Sequence, residues 1–142
     1  MIRVYLGGPF RERDRLKLWR ISIVAKKMHV TSRWLDNEFP TNDAPTEEQK
    51  IELCTYNLSD IFQSDIVVIY DPNLRKLDDY EDTPGRHIEL GYAMGARLPI
   101  ILVGKRTTVM HYDPLIRVID VHSKVDELVE ELERTYTEHW NR

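Results

Sequence analysis

A disulfide needs two cysteines, and this chain of 142 residues has one, Cys54. An internal cross-link is therefore excluded. Cys54 falls in a predicted helix and reads as a buried structural thiol. No Cys/His cluster has the spacing of a metal site, and no complete GxGxxG fingerprint is present, so neither a metal nor an organic cofactor is implied. No apolar run is long enough to span a bilayer, which argues against a membrane partner. Basic residues are not in excess, with 20 Lys and Arg against 24 Asp and Glu. At a net charge of −4 the chain has no overall attraction for a nucleic-acid polymer. Arg11, Arg13, Arg15, Lys17 and Arg20 are a local exception and read as the solvated face of an early helix. The first residues pass straight into a strand with no signal peptide in view, so a soluble cytoplasmic protein is the expectation. Internal repeats and low-complexity segments are also missing.

What remains is an ordinary globular composition, 42% hydrophobic and 31% charged. The length predicts one domain over residues 1–142 with a core of useful size. Ile2 to Leu6 reads as a buried strand stopped by Gly7-Gly8-Pro9. A helix follows from about Arg13 to Met28, with Leu16, Trp19, Ile23 and Val24 as its core stripe. His29 to Leu35 alternates as a second strand. After a polar loop, Thr46-Glu47-Glu48-Gln49 has the form of a capping box, opening a helix that carries Ile51, Leu53, Leu58 and Ile61 inward. Asp65 to Tyr70 is apolar on both faces, as a central parallel strand is. A long acidic loop from Asp71 to Arg86, a short helix, a strand at Leu98–Gly104, a fifth strand at Arg117–Val121 and a helix capped by Ser123 complete the chain. This alternation predicts a doubly wound three-layer α/β/α domain, flavodoxin- or Rossmann-like, on a five-stranded mainly parallel sheet.

The stretch richest in chemistry is Asp82-Thr83-Pro84-Gly85-Arg86-His87-Ile88-Glu89-Leu90-Gly91-Tyr92-Ala93. It places a lone carboxylate, Glu89, in the first turns of a helix between two strands. Open parallel sheets bind ligands at the carboxyl ends of their strands. Glu89 is thus a candidate catalytic group. The alternative is an exposed glutamate that stabilises the helix dipole.

Three blocks then carry a resemblance: Val4-Tyr5-Leu6-Gly7-Gly8-Pro9-Phe10, Ser64-Asp65-Ile66-Val67-Val68, and Gly85 through Ala93 followed by Pro99-Ile100-Ile101. Together they resemble the nucleoside 2-deoxyribosyltransferases and the related nucleoside 5′-monophosphate N-glycosidases, over roughly residues 2 to 122. Ser32-Arg33-Trp34-Leu35 and Gly85-Arg86-His87 look closest to a compact branch of phage and bacterial type. The resemblance implies that Glu89 attacks C1′ of the sugar and displaces the base. A second base as acceptor would make the enzyme a transferase; water would make it a hydrolase. Tyr5 would orient Glu89, although a half-buried core tyrosine is the alternative. Phe10 would stack on the base, or simply pack in its loop. Gly7 and Gly8 would open the backbone to the ligand, or form a tight turn.

At the sugar end the resemblance implies Thr83 or Asp82, with Gly85 beside them. Arg86 or Arg11 would meet a 5′-phosphate if the substrate carries one. His111, with Thr108, lies in a loop that in relatives reaches a neighbouring subunit's site, and a homodimer or higher homo-oligomer is expected. His87 replaces a small residue and reads as structural, as does Asp65. Trp19 and Trp34 read as core or dimer contacts. One departure matters: Asn57 stands where relatives usually carry an aspartate that attends the base. An amide can donate and accept hydrogen bonds but is no general acid. Asp60, one turn later, is the substitute candidate. The expected substrates are a nucleoside or its monophosphate, with an acceptor base for transfer. The rival from another class is a nucleotide-binding sensor that keeps Glu89 only for contact.

Overall fold

The computed structural model describes residues 1–37, 46–72 and 85–140. Five parallel strands form one sheet: β1 (Arg3–Gly7), β2 (His29–Val30), β3 (Ile66–Asp71), β4 (Ile100–Gly104) and β5 (Ile116–Ile119). Their spatial order is β2-β1-β3-β4-β5. β3 lies at the centre and is buried along its whole length, which is why its sequence, IVVIYD, shows no polar alternation. The helices are α1 (Arg13–Ala25), α2 (Glu47–Phe62), α3 (Gly85–Gly95) and α4 (Val125–Trp140). α1 packs against α4, and α2 against α3. With right-handed crossovers this puts the two pairs on opposite faces of the sheet. The expected doubly wound α/β architecture is the one observed.

Local chemistry explains most boundaries. The Gln49 N–H donates to the Thr46 hydroxyl at 3.2 Å and the Thr46 N–H to the Gln49 side chain at 2.8 Å, closing the capping box in front of α2. α1 ends at Ala25, three residues before the predicted limit, and turns through Lys27 at φ 62°. α4 starts two residues beyond Ser123, which is therefore not its cap.

β2 departs most from expectation. It stops after two residues, and Arg33–Asp36 forms a 3-10 turn instead of strand. The β1 groups that a longer β2 would have paired are taken by side chains. The Leu6 N–H donates to the Ser32 hydroxyl at 2.6 Å, and the Trp34 indole N–H donates to the Leu6 carbonyl at 2.8 Å. The Ser32/Trp34 alternation that resembled a strand is thus a side-chain cover for the β1 edge. Both residues are buried. Trp19 also joins the core, edge-on to Tyr70 at 5.1 Å between ring centroids.

Three smaller expectations fail. Val24 and Ile51 are exposed, so the inward stripes of α1 and α2 are narrower than predicted. Cys54 is exposed rather than a buried thiol. Among the described residues, no helix is long and apolar enough to cross a membrane.

Candidate active site

The strand order reverses direction between β1 and β3, since the chain steps from β1 outward to β2 and then back across to β3. In doubly wound sheets this switch point opens a crevice beyond the strand ends. Gly7 and Asp71 are the last residues of β1 and β3, and α3, which follows β3, brings Glu89 to the same place. The Glu89 carboxylate lies directly over Gly7. A methyl group added at Gly7 would sit 2.5 Å from Glu89 Oε2 and 3.2 Å from the Tyr5 ring. Only a residue without a side chain leaves room there.

Glu89 is half-buried as a residue, with its backbone on the helix and its carboxylate turned into the protein. Burial therefore raises its pKa, to about 7, against a smaller opposing effect from the Tyr5 hydroxyl. Tyr5 is fully buried, and burial first and the Glu89 charge second push its phenol well above the ordinary value. The hydroxyl nevertheless closes no hydrogen bond of good geometry within the described residues. The Tyr5 hydroxyl thus faces the Glu89 carboxylate closely enough to act on it, at a geometry looser than a good hydrogen bond.

Asn57 presents a second unpaired group. Its side-chain oxygen is buried without a partner among the described residues. It lies on α2, whose neighbour is α3. Buried polar atoms left unpaired are rare and costly, and they mark places where a ligand's polar groups can complete the bonding. Asp60, the alternative to Asn57, is already engaged. The Arg33 backbone N–H donates to one of its oxygens at 3.0 Å and the Arg33 Nε–H to the other at 2.9 Å. Its negative charge still reaches Tyr5.

The remaining expected residues divide by location. Gly8 packs against Leu16 and Tyr70. Phe10 is 51% exposed in a 3-10 turn just past β1, with the Arg13 guanidinium 4.8 Å from its ring centre. Gly85 is the first residue of α3. Arg86 is not a surface cation: its side chain is 2% exposed, and it donates from Nε and Nη2 to Asp71 Oδ1 at 3.2 and 3.1 Å. His111 is buried, accepts the Thr107 N–H on Nδ1 at 3.0 Å, and stacks with His87 at 6.4 Å. Asp82 and Thr83 lie outside the described residues. Asp65, read as structural, binds Arg3 through side chain and backbone at the other end of the sheet. Sequence reasoning passed over Asp71. Its signal was an acidic residue ending an otherwise apolar buried strand. Among the described residues, no group of three or more His, Cys, Asp or Glu could hold a metal ion.

No family model matches the chain, and no curated protein matches it in sequence. Solved structures do. A 2-deoxyribosyltransferase from Bacillus psychrosaccharolyticus superposes with a TM-score of 0.65 at 19% identity, over 89% of this chain and 90% of that one. A CMP N-glycosidase from Clostridium botulinum gives 0.59 at 20% identity, over 93% and 98%. This chain has their fold. A conserved protein from Enterococcus faecalis V583 shares it too, with a TM-score of 0.60 at 12% identity over 94% and 98%. The expected α/β class thus holds against solved structures as well as in the sheet itself.

Proposed function

We propose that this protein cleaves the N-glycosidic bond of a (2-deoxy)nucleoside or its 5′-monophosphate, with Glu89 as nucleophile, and passes the sugar to a second base. The observation that supports this best is the Glu89 carboxylate seated over Gly7 beside Tyr5, at the switch point of the sheet. A Glu89 oxygen bonds to C1′ while the C1′–N bond breaks, and the electron pair leaves with the base nitrogen, which takes up a proton. A nitrogen of the incoming base then attacks C1′ and gives its proton to solvent, which supplied the one taken by the departing base, and the ester C–O bond breaks to return the carboxylate. Tyr5 holds the rotamer of Glu89, and Asn57 meets the edge of the base with its unpaired oxygen. Phe10 covers the base, while Gly8, Gly85 and, from outside the described residues, Asp82 and Thr83 attend the sugar end. The fold shared with a 2-deoxyribosyltransferase supports transfer to a base. The fold shared with a CMP N-glycosidase supports the alternative in which water is the acceptor.

In this reading the whole chain, 1–142, acts as one domain, and copies of it associate. Exposed Ile88 and Tyr92 on α3 and exposed Val109, Met110 and Tyr112 around His111 form an apolar surface beside the site, joined through the His87–His111 contact. This is the surface a second copy would cover.

The test is free-base release from a panel of nucleosides and 5′-monophosphates, with and without an acceptor base, for wild type and Glu89→Ala. Release that needs Glu89 and speeds up with acceptor supports transfer. Release indifferent to acceptor supports the hydrolase. Nucleotide binding with no release would turn the reading toward a sensor, for which Asn57 in place of an acid is the observation in favour. The rate should climb as pH passes about 7, because only ionised Glu89 attacks.

A further inference from the structure

Two charges buried together, one at the end of β3 and one in the first turn of α3, stand out from everything else in the fold. The Asp71 and Arg86 side chains are 3% and 2% exposed, and they bridge the end of β3 to the second residue of α3. Burying an ion pair costs desolvation on both partners, and similar stability is often reached with apolar residues. A cation in the first helical turn is also disfavoured by the helix dipole. What such a pair supplies is one fixed geometry, and its placement says which geometry.

Asp71 is seated against β4. It pairs in register with Gly104 of β4, and a side chain at Gly104, where φ is 155°, would collide with the Asp71 carbonyl oxygen. The two backbones therefore lie in close contact there. Arg86 stands three residues before Glu89, about one turn along the same side of α3. The Glu89 carboxylate in turn fills the space that a Gly7 side chain would need. We propose that the buried Asp71–Arg86 pair is a positioning device for Glu89: it pins the start of α3 to the end of β3 and so holds the carboxylate in register over Gly7. Asp71 and Arg86 are positioning residues, and Arg86 is not a substrate cation. The proposal rests on Glu89 being the reactive group.

The test uses Arg86→Lys and the double variant Asp71→Asn/Arg86→Gln. Lysine keeps the charge but is a point donor that cannot make the two guanidinium bonds. The double variant removes both charges of the pair together and decides the matter if Arg86→Lys does not fold. Each is read by kcat and KM for base release and by 13C NMR titration of the Glu89 carboxyl. The expected result is a folded protein whose kcat falls on the order of 10- to 100-fold, with KM within about threefold of wild type. Wild-type kcat in a folded variant would overturn the proposal. So would a rise in KM at constant kcat, which would make Arg86 a substrate contact. If wild type releases no base, the glycosidic reading has failed, and the NMR arm still decides this one. A displaced Glu89 titration supports positioning, and an unchanged one overturns it.

Discussion

Glu89 carries a conflict between stability and chemistry that a single residue makes visible. Burial raises its carboxyl to about 7 in the fold against 4.5 for an ordinary glutamate, and the Tyr5 hydroxyl offsets only part of the lost water. The folded protein therefore holds this proton more tightly than the unfolded chain does. Below pH 4.5 both states are protonated and nothing is lost. Stability then declines as pH rises towards 7, and above 7 the full cost of the buried charge remains, up to about 3 kcal/mol. Glu89→Gln should match wild type in urea denaturation at pH 4 and exceed it at pH 8, while losing base release at pH 8. Equal stability at pH 8 would mean that the carboxylate is solvated. Gly7→Ala tests the same contact from the opposite side. The new methyl would strike first the Glu89 carboxylate, the movable end of its side chain, and would press on buried Ile69 and Tyr5 at 3.0 and 3.2 Å, so the carboxylate is displaced while the core gives by a few tenths of an ångström. The expected outcome is a folded protein with a modestly lowered melting temperature and base release slowed on the order of 100-fold.

Among the elements, those governed by local chemistry were readable from sequence and those governed by distant partners were not. Thr46 and Gln49 announce the start of α2 because a capping box is closed by residues three apart. Thr46→Ala should accordingly cost about 1 kcal/mol, read as a shift in denaturation midpoint at unchanged slope. The end of β2 was misread because period-2 alternation has two causes. Val30, Ser32 and Trp34 alternate as a strand would, yet Ser32 and Trp34 reach across to Leu6 with their side chains. Exposed Val24, Ile51 and Cys54 show the same limit, since helical periodicity identifies a face without saying how wide the neighbouring layer is. Of the candidate site, Glu89 could be picked out because a carboxylate near a helix start between two strands has a local signature, whereas Tyr5 and Gly7 came only from the family resemblance. The partnership of Arg86 with Asp71 could be picked out by neither. Fifteen residues separate them, and only the closing of α3 against β3 brings them together.

At the scale of the whole molecule, the layers are uneven in a way that bears on assembly. Each crossover among β1, β2, β3 and β4 contains a full helix. Between β4 and β5 the chain has only the 3-10 turn Val109–Tyr112. Val109 is 81% exposed there, with Met110 and Tyr112 beside it. A doubly wound sheet ordinarily covers both faces with helices, and apolar side chains left this open on a protein of −4 net charge favour self-association over a charged partner. The surface adjoins α3 through the His87–His111 contact, so a second copy seated on it would lie against the element that carries Glu89. Sedimentation velocity at micromolar concentration should therefore show a dimer or larger species. The double substitution Val109→Lys/Met110→Lys should convert it to monomer, because two exposed cations on each copy would be buried against each other. Neither side chain is buried within the chain, so monomer stability should change by less than about 0.5 kcal/mol. A wild-type monomer would leave the apolar turn to some other partner, and a dimer that survives the double substitution would place the contact between copies elsewhere on the molecule.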